Sequence, residues 1–388
     1  MKIGFVVTYF YPFKDGTENN CLYLARELAK KHEVHIFTSD RREGVVVENK
    51  EEEFQGLHIH RCRTIFRYRY YMVFDIDFIP KIMKYKFDIL HVHSIGFLQQ
   101  DIAVVLKKIF TNTKIVNTPH GPFLANENYS IPIKIARTIY KLIEYPINHF
   151  FYDASIDVNS TQKIWMVEYG FKENKIKFNP DGVPKDRLRK IENKEFIKKY
   201  NLKNKFVISS LGRLLPYKGF DQIIKALPSI TKKHPNVLYL CMGDDRGDLK
   251  RLKSLVKENK VEKYILFLGE VSEDDKLKAL DASEIFLFPS EPGTEAFGIV
   301  TLEAMLRKNA VVASNTEGSL FLIEKDNGFI FNYGNTEKLA EYVNLLIENE
   351  KLRKSMQETN YNKAKNYINE NIAWDPLEKI YLEVLNKK

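Results

Sequence analysis

One feature constrains this chain more than any other. Short apolar runs rich in β-branched residues trade places with longer helical patterns from end to end. In the first half the runs fall at 3–8, 34–39, 45–47, 57–62, 89–94, 115–118 and 155–159. Helical patterns intervene at 18–31, 97–110, 133–151 and 161–169. The second half repeats the theme, with runs at 206–211, 237–242, 265–268, 285–288, 310–313 and 328–331 and helical patterns between them. Runs apolar on both faces suit parallel strands, and a βα succession builds doubly wound sheets. The expected fold class is therefore α/β, with two Rossmann-like domains. Ligands of such sheets collect beyond the carboxyl ends of the strands.

Length agrees with two domains, since 388 residues are enough for two separate cores. The polar stretch 179–205, with Pro180 and Pro184, reads as the connection between them. An apolar fraction of 44% excludes a disordered chain. Cys21, Cys62 and Cys241 are odd in number and far apart, which argues against a disulfide framework and for a reducing compartment. The run at 3–7 is too short for a signal-peptide core, and 18 consecutive apolar residues occur nowhere. The expected setting is cytoplasmic, or peripheral on the cytoplasmic face of a membrane.

Two segments carry the chemistry. In Leu211-Gly212-Arg213-Leu214-Leu215-Pro216-Tyr217-Lys218-Gly219 an apolar run ends, glycines flank a turn and a helical pattern begins. Arg213 and Lys218 thus emerge where ligands bind, and a guanidinium fork with a compact ammonium suits a diphosphate. Taken alone, the two cations are equally well read as solvated turn charges. The segment is not a Walker loop. In the second, residues 289–305, Glu295 precedes an apolar helical pattern and Glu303 lies inside it. A carboxylate in so apolar a helix needs a partner, and sugar hydroxyls or a salt bridge would each supply one. The amides of Gly298, Ile299 and Val300 open the helix and can hold an anion; Glu295 by itself also fits a plain helix-capping carboxylate.

Together these segments resemble glycosyltransferase family 4, the retaining nucleotide-sugar enzymes of the GT-B fold. The likeness extends over nearly the whole chain. It includes 3–31 with Pro12 and Gly16, Phe87-Asp88-Ile89-Leu90-His91-Val92-His93, and Thr118-Pro119-His120-Gly121. Asn179-Pro180-Asp181-Gly182-Val183 stands in the place of the family's Asn-Gly-Val-Asp. The resemblance implies a GT-B fold with the two domains facing across a cleft: 1–182 on the acceptor side, joined by a crossover helix 370–388, and 183–369 binding the nucleotide sugar. It implies that Arg213 and Lys218 hold the donor diphosphate as leaving group, in place of a metal. Glu303 would hold the ribose. Glu295, with the amides of Phe297, Gly298 and Ile299, would position the donor sugar and phosphate. Gly16 would allow close approach of backbone to the diphosphate. His120 would sit beside the sugar, orienting a hydroxyl; for His91 and His93 a buried, satisfied ring is the expected reading. Neither cofactor nor metal is expected. Departures from the family pattern, at Asp15-Gly16-Thr17, Arg307-Lys308-Asn309, 315–319, Asp181 and Pro184, concern loop geometry and acceptor choice.

Net charge is +9, and most of it sits in 61–152, with 13 basic residues against 6 acidic. Within 61–87, Arg61, Arg63, Arg67, Arg69, Lys81, Lys84 and Lys86 mingle with Phe66, Tyr68, Tyr70, Tyr71, Phe74, Phe78, Tyr85 and Phe87. Such side chains suit an anionic headgroup interface or equally a stacking surface for single-stranded nucleic acid; the expected use is membrane association or an ordered acceptor cleft. The helical pattern around 133–145, bracketed by Pro132 and Pro146, is expected to pack its Ile135, Ile139, Leu142 and Ile143 stripe on the sheet. The expected acceptor is a glycan or a lipid-linked glycan. A GT-B epimerase or phosphorylase is the alternative. A basic nucleic-acid-binding protein is the outside alternative, and it leaves Glu303 and the Arg213–Lys218 pair unexplained.

Overall fold

The computed structural model describes residues 1–13, 16–42, 44–68, 72–120, 131–368 and 374–386. Asp15, Arg69, Tyr70, Tyr71 and Gly121 lie outside the described residues, as do the side chains of Tyr68 and Arg137. The chain divides into two compact units, Met1–Gly182 with Asn369–Lys388, and Val183–Ile368.

The first unit is built on an eight-stranded sheet. Its spatial order is Ile176–Phe178, Ala154–Asp157, Lys114–Asn117, Ile89–Val92, Lys2–Val6, Glu33–Ser39, Leu57–Cys62 and Glu51–Phe54. Every pair is parallel except the last. Ile89–Val92 and Ala154–Asp157 are buried along their whole length, polar His91, Ser155 and Asp157 included, as strands covered on both faces are. Strand order reverses between Lys2–Val6 and Ile89–Val92, so the loops that begin at Val7 and His93 open side by side at the switch point. The second unit has six strands, all parallel, in the order Ile265–Gly269, Val237–Met242, Phe206–Leu211, Ile285–Phe288, Ala310–Ser314 and Gly328–Phe331. Here the switch falls between Phe206–Leu211 and Ile285–Phe288. Helix Phe220–Lys233 covers one face, packing Ile223, Leu227 and Ile230 into the core beneath it.

Several expectations are corrected. The run 45–47 is no core strand; Val45–Val46 pairs with Arg41–Arg42 in a two-residue ribbon, and both valines are exposed. Hydrophobicity alone does not distinguish a short ribbon from a buried strand. The stretch 179–205 contains the division between the units, at Gly182/Val183, and it is structured. Asn179, Asp181, Val183, Arg187, Phe196 and Leu202 are buried, and a 3₁₀ turn (Lys185–Leu188) and a helix (Lys194–Lys199) form inside it.

The largest correction concerns the helix Ile131–Phe150, which runs through Pro146 instead of stopping there. Its Ile135, Ile139, Leu142 and Ile143 are exposed, Leu142 by 72%. Among the described side chains, the turned-in side carries polar groups beside the core-packed Ile147. Glu144 is buried and accepts from the Gly96 amide at 2.6 Å, and the Tyr140 hydroxyl donates to Asp101. A helix with chemistry on both sides does not declare by its period which side faces inward. Within 61–87 the residues also divide. Phe78 and Phe87 are core, Arg61 is buried against Glu52, and Lys81 donates to the Arg61 carbonyl at 2.8 Å. Ile65, Phe66, Phe74 and Ile76 remain exposed on the antiparallel pair Thr64–Tyr68 and Met72–Asp75.

The helix Asp375–Asn386 belongs to the first unit. It buries Leu377, Ile380, Tyr381 and Val384, each worth on the order of 2 kcal/mol of transfer free energy. Glu378 fixes its start, pairing with Lys31 at 2.9 Å and with His32 at 2.8 Å.

Candidate active site

In the second unit the loops after the two switch-point strands are tied together. Gly212 and Arg213 follow Phe206–Leu211 directly, and a 3₁₀ turn (Pro216–Lys218) leads into helix Phe220–Lys233. Gly219 joins turn to helix with φ +70°, and a Cβ there would stand 2.0 Å from the Pro289 carbonyl oxygen. Only glycine permits both that conformation and that approach. The Glu291 amide then donates to the Tyr217 carbonyl at 2.7 Å, which locks the loop after Ile285–Phe288 against the Lys218 turn.

Lys218 meets Glu295 in this cradle. The ammonium pairs with Oε1 of the carboxylate, which also accepts from the Ser290 hydroxyl at 3.2 Å. Both side chains are about 15% exposed, sheltered but open to a ligand. A guanidinium nitrogen of Arg213 donates to the Tyr217 hydroxyl at 3.0 Å. Two cations and a carboxylate thus gather at the carboxyl ends of adjacent parallel strands.

Gly298 precedes helix Ile299–Leu306 with φ +86°. Phe297 is buried, its ring 5.8 Å from that of Phe321, so any contact with a ligand falls to its backbone. Glu303 is buried inside this helix, but its partner is not left to a sugar. Arg187 Nε at 2.9 Å and Lys276 Nζ at 2.7 Å both donate to its Oε1. Glu273 completes the group, 3.0 Å from Lys276. Arg187 lies in the polar stretch read as a connection and Lys276 in an otherwise ordinary surface helix. No local pattern joins either to Glu303, and this quartet escapes a sequence reading.

In the first unit Gly16 opens the helix Gly16–Ala29, and apart from its chain neighbours and its own helix backbone no atom of the described residues lies within 4 Å of where a Cβ would stand. His120 follows Lys114–Asn117, buried and at φ +53°, a conformation uncommon for a residue with a side chain. Burial holds its pKa down, at about 4, and depresses those of His91 and His93 well below the usual range, so all three rings are neutral at pH 7. His91 is satisfied at both nitrogens, by the Tyr381 hydroxyl at 2.5 Å and Thr118 Oγ1 at 2.7 Å. His93 departs from expectation: Nδ1 contacts His120 Nε2 at 3.0 Å, while its buried Nε2 has no hydrogen-bond partner among the described residues.

Two groups bring three metal-ligating atoms within 4.8 Å of one another: Cys21, His93 and His120, and Glu33, His35 and His58. In the first, burial and the nearby carboxylates of Glu18 and Asp181 raise the Cys21 thiol well above its usual range, which keeps it protonated. In the second, Glu33 already pairs with Lys2 at 2.7 Å. The expectation of no metal took the sequence to lack an Asp-x-Asp pair, but Asp75-Ile76-Asp77 is one, and it is likewise engaged. Asp75 accepts from the Ser39 and Thr64 hydroxyls, and Asp77 from the Arg63 amide.

Comparison with known proteins agrees with this architecture. The model for glycosyl transferases group 1 matches residues 192–363, and that for glycosyltransferase family 4 matches 14–187. An uncharacterized glycosyltransferase of Methanocaldococcus jannaschii is 25% identical over 98% of this chain and 96% of its own. A phosphatidyl-myo-inositol mannosyltransferase of Mycobacterium tuberculosis is 24% identical over 82% and 78%. Among solved structures, Anabaena HepE in complex with UDP and glucose superposes with a TM-score of 0.77 at 18% identity, covering 99% of this chain and 98% of that one. Sucrose-phosphate synthase of Thermosynechococcus elongatus gives 0.78 at 18%, covering 98% and 96%. The fold is that of the GT-B glycosyltransferases. Within that class the chain belongs to glycosyltransferase family 4 and is a glycosyltransferase.

Proposed function

We propose that the protein moves a hexose from a UDP- or GDP-linked donor to an acceptor with retention of anomeric configuration and without a metal. The observation that carries this is the Lys218–Glu295 pair beside Arg213, at the ends of two switch-point strands. A diphosphate entering the cradle takes the Lys218 ammonium from Glu295, and the freed carboxylate turns to donor hydroxyls. Arg213 and Lys218 then stabilise the charge that develops as the sugar–phosphate bond breaks. The departing phosphate oxygen takes the acceptor's proton, so positioning and charge stabilisation do the catalysis and no enzymic nucleophile is required. The amides of Phe297, Gly298, Ile299 and Val300 add donors for phosphate and sugar. Glu303, oriented by Arg187 and Lys276, accepts from the ribose. In the first unit His120 orients a sugar hydroxyl, and Gly16, lacking a side chain, lets backbone approach the diphosphate.

The acceptor we propose is a lipid or a lipid-linked glycan, met at the cytoplasmic face of a membrane. The mycobacterial relative is named for phosphatidyl-myo-inositol, and the exposed Ile135, Ile139, Leu142 and Ile143 stripe suits insertion into a headgroup layer. No helix among the described residues is long and apolar enough to cross a membrane.

The test is product analysis in chelator, with the wild type and the Arg213→Ala and Lys218→Ala variants. Nucleoside diphosphate and a glycoside of the donor's own configuration should appear together, and turnover should fall by roughly 10²–10³ in each variant. Wild-type rates in both variants, or an inverted product, would overturn the reading. An epimerase or phosphorylase would form no glycoside at the expense of a released nucleoside diphosphate.

A further inference from the structure

Two neutral imidazoles that meet nitrogen to nitrogen share one proton, and which ring supplies it decides what the other can do. His93 Nδ1 and His120 Nε2 meet at 3.0 Å. If His120 donated, the His93 proton would have to sit on Nε2, which is buried without a partner among the described residues. A buried N–H with no acceptor keeps its full desolvation penalty, whereas a bare lone pair is better tolerated. The His93 ring has little freedom to escape this choice. It stacks on Phe5 at 5.0 Å, lies 4.0 Å from the centre of His91, and is 2% exposed. His93 therefore carries its proton on Nδ1 and donates to His120.

We infer that His93 is a positioning residue that holds His120 as the Nδ1–H tautomer, so that Nδ1–H is the donor His120 offers to a sugar hydroxyl. The statement rests on the proposed role of His120 for its catalytic meaning, but not for its tautomer. No other hydrogen bond engages the His120 ring among the described residues. Its backbone, at φ +53°, adds a second restraint on the same ring. A ring free to exchange tautomers would offer the sugar a lone pair part of the time; with Nε2 occupied by the His93 proton it always offers N–H.

The experiment is nitrogen-15 NMR of histidine-labelled full-length protein, with the His120 signals identified by their loss in His120→Gln. Wild-type His120 should show a protonated Nδ1 and an unprotonated Nε2. His93→Phe, which keeps the ring and removes the donor, should show exchange toward the Nε2–H form. His93→Asn returns an N–H close to the Nδ1 position and should restore the wild-type pattern. In turnover, His93→Phe should lower kcat about 10–100-fold, the scale on which partners that orient a metal-bound histidine act, with KM nearly unchanged. His93→Asn should recover much of that loss. An Nε2–H tautomer in the wild type, or an Nδ1–H tautomer retained in His93→Phe, would overturn the inference. Full activity in His120→Gln would instead overturn the catalytic role of His120, and the tautomer spectra would still decide the rest.

Discussion

Asp181 illustrates how one residue can set a pH dependence. It stands where family 4 carries Asn, and it is buried, with the Asn20 amide donating to its carboxyl at 2.6 Å. Burial raises its pKa from 3.8 to about 7. The folded chain therefore binds this proton more tightly than the unfolded chain. The associated stability is complete below about pH 4 and is lost as pH rises toward and through 7. Asp181→Asn removes the titration and supplies an N–H near the buried Asn20 Oδ1, which has no partner among the described residues. Urea denaturation should find the variant more stable than wild type by about 2–4 kcal/mol at pH 8 and close to it at pH 4. An equal difference at both pH values would mean that the native carboxyl is already ionised. A single-letter departure from a family pattern was visible in the sequence. Its burial and its partner, 161 residues away, were not.

Among the elements, those buried on both sides were the most legible. Ile89–Val92, Ala310–Ser314 and Ile285–Phe288 are mostly apolar and buried along their whole length, as parallel strands covered on both faces are. Arg213, Lys218 and Glu295 could be picked out for the same reason, since each lies in the loop that follows such a strand. The helix Ile131–Phe150 was legible as a helix but not in its orientation. Glu144 and Tyr140 satisfy buried polar partners, and so the apolar stripe is left facing outward. That orientation predicts membrane affinity in this element. Wild type should float with anionic vesicles and less with neutral ones, while Leu142→Glu should reduce flotation several-fold without changing the melting temperature, because Leu142 is 72% exposed. Flotation unchanged in Leu142→Glu would remove this helix as the anchor.

For the molecule as a whole, charge and order of elements carried much of the account. The positive excess in 61–152 lies within the first unit, while Arg213 and Lys218 lie in the second at its strand switch. Long-range polar contacts were the illegible part. The Arg187–Lys276–Glu273–Glu303 quartet and the His93–His120 contact join residues with no common period or motif. The account turns on the claim that the strand-end cations of the second unit hold a nucleoside diphosphate. Thermal melting with a panel of UDP, GDP and their sugars tests this most directly. At about 100 times its dissociation constant, a ligand stabilises by roughly 2.7 kcal/mol. For a unit of this size that is a rise of roughly 5–10 °C. One base should raise the melting temperature of the wild type, and Lys218→Ala should abolish most of the rise. A panel in which no member shifts the wild type, or one that shifts Lys218→Ala equally, would contradict the claim.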